Sequence, residues 1–209
     1  MVERLVYTEK AAGSSPAAVT IKSNPIKEKM ERENNFKKVA MVIAFKDFKD
    51  EEYFLTREVL DRAGIEVKTF SNKTGVAIGS GGNEVKVDFL LKDLNPKDFD
   101  AVIFIGGPGC LLSLDNEDSY SLIKNTISDD KILAAICISP VILAKSGVLR
   151  GVKSTVWSSA LDKKPIDILK VNGAIYDPGP VAQDKKIITA NGPLAAKEFG
   201  EKILSALRQ

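Results

Sequence analysis

The sequence contains no histidine. That absence removes any Cys–His or Ser–His catalytic pair within the chain, and it removes the commonest transition-metal ligand. A general base here must be Asp, Glu, Lys, Tyr or a thiolate. Cysteine is almost as scarce, with two residues. Two thiols alone cannot build a structural zinc site, so no metal is expected. The phosphate-loop pattern GxxxxGK[ST] is missing, and no cofactor is expected either. Two cysteines without a recognisable signal peptide argue for a reducing cytoplasm. No apolar run approaches the ~18 residues that span a bilayer. An excess of charge is lacking too: 30 basic against 28 acidic residues leave a formal net charge of +2. That balance gives no electrostatic case for a nucleic-acid or membrane-surface partner.

What is present suffices for one folded domain. The 209 residues are 44% hydrophobic. Residues 1–36 carry no sustained period and end in a charged run with paired Asn, which reads as a mostly disordered extension with a short helix in KEKMEREN. Met30 or Met41 would be alternative starts. Residues 37–209 read as the domain.

Lys37 to Phe45 (KKVAMVIAF) is a buried strand. Asp50 to Gly64 is a helix whose apolar positions include Phe54, Val59 and Leu60, with Gly64 as its stop. Ile65 to Ser71 alternates like a strand, and a hairpin signal surrounds Gly79 to Asn83. DAVIFIGGPG, Asp100 to Gly109, is a buried strand ending in a Gly-rich loop, followed by a helix over about Asn116 to Ile127. VKSTVW, AIYDPGPVAQD and KIITAN read as later strands, and PLAAKEFGEKILSALRQ as an amphipathic helix. Strands alternating with helices predict a three-layer α/β/α sandwich with a mainly parallel, flavodoxin-like sheet.

The organising stretch is Lys131 to Gly151. Five apolar residues, Ile132 to Ile136, form a strand; Cys137 follows; Ser139-Pro140 opens a helix to about Lys145. Cys137 therefore sits on a strand-to-helix turn of the nucleophile-elbow kind. A nearby helix N-terminus is expected to lower its pKa. The plainer alternative is a buried, inert cysteine. Two other loops reach the same sheet edge. One carries Asp47, Asp50, Glu51 and Glu52, of which Glu52 is expected to turn toward the sheet and the others to favour a helix N-terminus. The other carries Gly106 and Gly107, which suit either close approach to an oxyanion or simply a tight turn. Cys110 follows that loop and is a candidate resolving thiol, or a cysteine packed beneath it.

In this order, FKDFKDEEYFLTREVLDRAG, DAVIFIGGPG, AAICISPVILAKSGVLRG and ITANGPLAAKEFGEKIL resemble the PfpI/ThiJ family of the class I glutamine amidotransferase-like fold, over about Lys37 to Leu207. That family includes intracellular proteases, glyoxalases and deglycases, and a redox-responsive Parkinson-associated protein. The resemblance implies Cys137 as nucleophile, Glu52 as the facing acid, and the Gly106-Gly107 loop with the Ile138 amide as oxyanion donors. Protease-like members carry His directly after the Cys, where this chain has Ile138. Others place a His on a later strand, where Trp157 or Ser158 stands here. The resemblance thus implies a Cys137–Glu52 site acting on small reactive carbonyl compounds. The alternatives are a redox protein whose partner is an oxidant, or a cysteine peptidase working without its usual imidazole. It also implies a homodimer or larger assembly.

Overall fold

The structure is a computed structural model and describes residues 37–209. The expected extension over residues 1–36 lies outside the described residues. Twelve strands and six α-helices follow in the described part.

The main sheet uses β1 (Lys38–Ile43), β3 (Glu66–Ser71), β6 (Phe89–Leu90), β7 (Ala101–Phe104), β8 (Ile132–Ile136), β11 (Val181–Asp184) and β12 (Ile187–Ala190). Their spatial order is β11-β12-β8-β7-β1-β3-β6. Every pairing is parallel except β11 with β12. Chain order reverses beside β1, with β3 on one side and β7 on the other. This is the switch point where sheets of this class open a crevice above the strand ends.

Continuous apolar runs make these strands, because both faces are covered. Val39, Met41 and Ile43 of β1 face one core, with Tyr53 and Leu60 of α1 (Asp50–Arg62) and Phe199 and Ile203 of α6 (Ala196–Leu207). Ala40 and Val42 face the other, with Leu122 and Ile123 of α3 (Glu117–Ser128) and Val141 and Leu143 of α4 (Pro140–Lys145). The sandwich expected from the sequence is the architecture observed.

Some details differ. Tyr53, not Phe54, is the buried aromatic of α1; Phe54 is exposed. Tyr53 goes inward because its hydroxyl bonds Thr69 Oγ1 at 2.7 Å and accepts from Arg57 at 2.6 Å. Four short strands and α-helices have no counterpart in the sequence reading: β2 (Lys46–Phe48), β6, α2 (Cys110–Leu114) and α5 (Lys164–Val171). The stretch read as one strand, AIYDPGPVAQD, is two: β10 (Ile175–Tyr176) and β11, parted by Pro178 and Pro180, which have no amide to donate. VKSTVW keeps only β9 (Lys153–Ser154). The hairpin is β4 (Gly75–Gly79) with β5 (Glu84–Val87), paired antiparallel as expected. No described helix is long and apolar enough to cross a membrane.

Candidate active site

β8 ends at Ile136 and the chain turns sharply. Cys137 occupies the turn with φ +64°, a left-handed conformation that a non-glycine residue adopts at a cost of about 1–3 kcal/mol. Two backbone bonds hold it there: Cys137 N–H donates to Ala190 O at 2.8 Å, and Trp157 N–H donates to Cys137 O at 2.8 Å. Ser139, expected as a helix cap, has no capping bond. Its buried hydroxyl instead accepts from Ile136 N at 3.0 Å and lies within donating distance of Phe104 O and Ile136 O. A hydroxyl there ties β8 to β7 directly beneath the elbow.

Glu52 comes from the first turn of α1 and is fully buried. Its Oε2 accepts from the Gly106 amide at 3.1 Å, Oε1 has no hydrogen-bond partner, and the Cys137 thiol lies close enough to act on the carboxylate. Gly106 is the hinge of this arrangement. A Cβ on it would lie 2.6 Å from Cys137 Cβ and 2.9 Å from Glu52 Oε2, so only glycine lets the two side chains close over it. The Gly106 amide is therefore spent on Glu52 and is not free for an oxyanion. The amides of Gly107 and Ile138 are the pair that points at the sulfur. That corrects the reading of Gly106 as an oxyanion donor.

Burial raises Glu52 to about 7, opposed by hydrogen bonds from Cys137 and Gly106 and by the Lys49 charge. Burial also raises the Cys137 thiol, and the Glu52 charge raises it further, against the pull of the Ile138 and Gly107 amides. The thiol expected to be lowered is thus raised. The reason is that α4 is only six residues long, and its end is outweighed by desolvation and by a neighbouring carboxylate. The pair takes up its first negative charge as the pH rises through about 7, and both shifts favour that charge on the carboxyl over the sulfur.

The cavity over this pair measures about 460 Å³. Its walls are Pro108, Leu111, Leu112, Ile138, Trp157 and Pro193, and its polar side chains are Cys137, Glu52 and Lys49. Lys49 was not found by sequence reasoning. Its amide donates to Gly106 O at 3.0 Å, which locks the Gly loop onto α1, and its Nζ lies 3.1 Å from Glu51 Oε2. Asp50 was read as simple helix-end charge, yet it is buried and accepts from Gly81 N at 2.6 Å and Asn83 N at 3.0 Å. It fastens the β4–β5 hairpin to α1.

Of the secondary candidates, only Trp157 lines the cavity. Ser158 lies beside it in sequence but outside the lining. Cys110 is fully buried in the opposite core from the one Cys137 packs on, and both cysteines are free. Burial pushes the Cys110 thiol up strongly. Its complete burial favours the packed cysteine over the resolving one. A larger open groove of about 770 Å³ runs along α1 and β5, but it holds mixed surface charge and no nucleophile. Among the described residues no cluster of His, Cys, Asp or Glu could hold a metal ion.

Known proteins resemble this chain in sequence and in fold. An uncharacterized protein of Methanocaldococcus jannaschii is 38% identical over 86% of this chain and 87% of its own length. A deglycase of Pyrococcus abyssi is 34% identical over 58% of this chain and 74% of its own. A glutathione-independent glyoxalase of Caenorhabditis elegans is 28% identical over 82% and 89%. The crystal structure of a ThiJ/PfpI domain protein from Brachyspira murdochii superposes with a TM-score of 0.77 at 29% identity, covering 82% of this chain and 96% of that one. The model of the DJ-1/PfpI family matches residues 37–206, and the chain belongs to that family.

Proposed function

We propose that the protein converts small α-oxoaldehydes to 2-hydroxy acids, with Cys137 as nucleophile and Glu52 as the one proton carrier. The carrying observation is the fully buried Glu52 carboxyl, with one oxygen unpartnered, against Cys137 in a cavity without histidine. Relatives named as a glyoxalase and a deglycase support the substrate class.

The steps need nothing beyond this pair and water. The Glu52 carboxylate takes the thiol proton as Sγ bonds to the aldehyde carbon, and the carbonyl electrons move to oxygen. The Gly107 and Ile138 amides hold that oxyanion until it takes the proton from Glu52, giving a hemithioacetal. Glu52 then removes the hydrogen from that carbon, the electrons moving onto the adjacent carbonyl oxygen; the hemithioacetal hydroxyl passes its proton to that oxygen, and Glu52 returns its proton to the adjacent carbon as the first oxygen re-forms a carbonyl. The product is a thioester of a 2-hydroxy acid, and water releases the acid and restores the thiol. A proton that moves between neighbouring carbons can be carried by one carboxyl group. Peptide cleavage differs, because a leaving amine must also be protonated by a well-placed acid, usually the imidazole absent here.

The second reading is a redox sensor, in which the Cys137 thiolate would be oxidised by an external oxidant. The test is methylglyoxal consumption and lactate formation by protein purified without a histidine tag, compared with Cys137→Ser. Cys137-dependent lactate supports the reading. No lactate, with Cys137 readily oxidised by peroxide, favours the sensor.

The same proposal places the protein in the cytoplasm as a homodimer or larger, with residues 1–36 an extension to the matched domain. Sedimentation as a monomer would remove the oligomer.

A further inference from the structure

The cavity is far larger than methylglyoxal needs, and its walls are the wrong chemistry for so polar a molecule. At about 460 Å³ it falls in the range of pockets that enclose much bulkier ligands. Trp157, Leu111 and Ile138, the residue next to the nucleophile, line it, and the exposed Leu112 stands at the rim. A small dicarbonyl on Cys137 would leave most of this apolar wall facing water. Filling it removes that apolar surface from water. The cavity's one basic side chain, Lys49, is already paired with Glu51 at 3.1 Å, so no free charge invites a polar or acidic substituent.

From this we infer that the site selects α-oxoaldehydes whose carbonyl carries an aryl or branched alkyl group, in preference to glyoxal and methylglyoxal. The inference rests on the α-oxoaldehyde reading for its reacting end and on the apolar walls for the rest. The carbonyl carbons sit at Cys137 and Glu52, and the substituent lies between Trp157, Leu111 and Leu112. Trp157, on the cavity wall, is then a specificity residue that packs on the substituent.

Two measurements test this independently. The first is kcat/KM for phenylglyoxal against methylglyoxal. A hydrophobic pocket discriminates about 10–200-fold for a single methylene, so phenylglyoxal is expected to be preferred by at least about tenfold. Leu112→Asp puts a charge on the wall at a residue that is 88% exposed, where the core is not at risk. It should cut the preference several-fold, mainly through KM for phenylglyoxal. A wild-type ratio at or below one overturns the inference. So does a ratio that Leu112→Asp leaves unmoved, because the preference would then come from the aldehyde's own reactivity.

The second measurement needs no turnover. Trp157 is the chain's one tryptophan and lines the cavity, so its fluorescence reports occupancy directly. Mandelate, the hydroxy acid from phenylglyoxal, should bind at least about tenfold more tightly than lactate. Equal affinities overturn the selectivity. If mandelate binds preferentially while neither aldehyde is consumed, the α-oxoaldehyde reading fails and the apolar selectivity stands.

Discussion

Glu52→Gln should lower kcat/KM for methylglyoxal at pH 7.5 by about 10²–10⁴-fold, the span typical of losing a positioned general base. The amide keeps the shape and can still accept from the Gly106 amide, so Cys137 keeps its place. What goes is the only group that can take the thiol proton. In the wild type, kcat/KM should rise as the pH climbs through about 7, where Glu52 ionises. In the variant that rise should disappear, and residual activity should follow the thiol's own titration at higher pH.

The same substitution should stabilise the fold in alkaline buffer. Glu52 has its folded pKa raised from 4.5 to about 7, so the folded state binds the proton more tightly than the unfolded chain. Its contribution is full below the unfolded pKa and is lost as the pH rises through the folded one. Across that window the wild type should lose about 3 kcal/mol to this group, at about 1.4 kcal/mol per pKa unit. Glu52→Gln has no such loss. Urea unfolding of both proteins at pH 4.5 and pH 8 should show the variant gaining on the wild type at the higher pH. A variant that loses activity while gaining stability marks a functional group held at a cost. Loss of both would make Glu52 a structural residue.

Gly107→Ala should destabilise the fold by about 3 kcal/mol or more, combining left-handed strain with overpacking. Gly107 has φ +114°, and a Cβ there would lie 2.5 Å from both Asp47 O and Lys49 N. These are backbone atoms of the segment leading into α1 and cannot swing away. In a chain of this size the loss corresponds to roughly 6–12 °C in Tm. Gly64→Ala is the control: φ is +75°, yet nothing lies within 4 Å of the new methyl, so only the strain remains. Equal losses at the two positions would mean the Gly loop is not wedged against α1.

The strands and the elbow were legible because they rest on local patterns. Ile132 to Ile136 is apolar without interruption, and Ser139-Pro140 marks the following helix start. Glu52 was legible as the acid left over once helix-end charge accounted for its neighbours. That reasoning assigned Asp50 too simply, because its partners Gly81 and Asn83 are distant in the chain. Lys49 was invisible for a related reason: it matters through a backbone bond to Gly106 and a place on a cavity wall. The direction of the Cys137 shift could not be read locally either. The helix end pulling the thiol down is a sequence feature, whereas the burial and the Glu52 charge that push it up are tertiary. The eight residues of α5 offer too few turns to show a period.

The most direct test of Cys137 as a carbonyl nucleophile is intact-mass analysis of tag-free protein mixed with methylglyoxal and quenched in acid within one turnover. A single adduct of one methylglyoxal unit, mapped to Cys137 and absent from Cys137→Ser, is the expected result; it should accumulate far more slowly in Glu52→Gln. An unmodified Cys137, or the same adducts on wild type and Cys137→Ser, would contradict it.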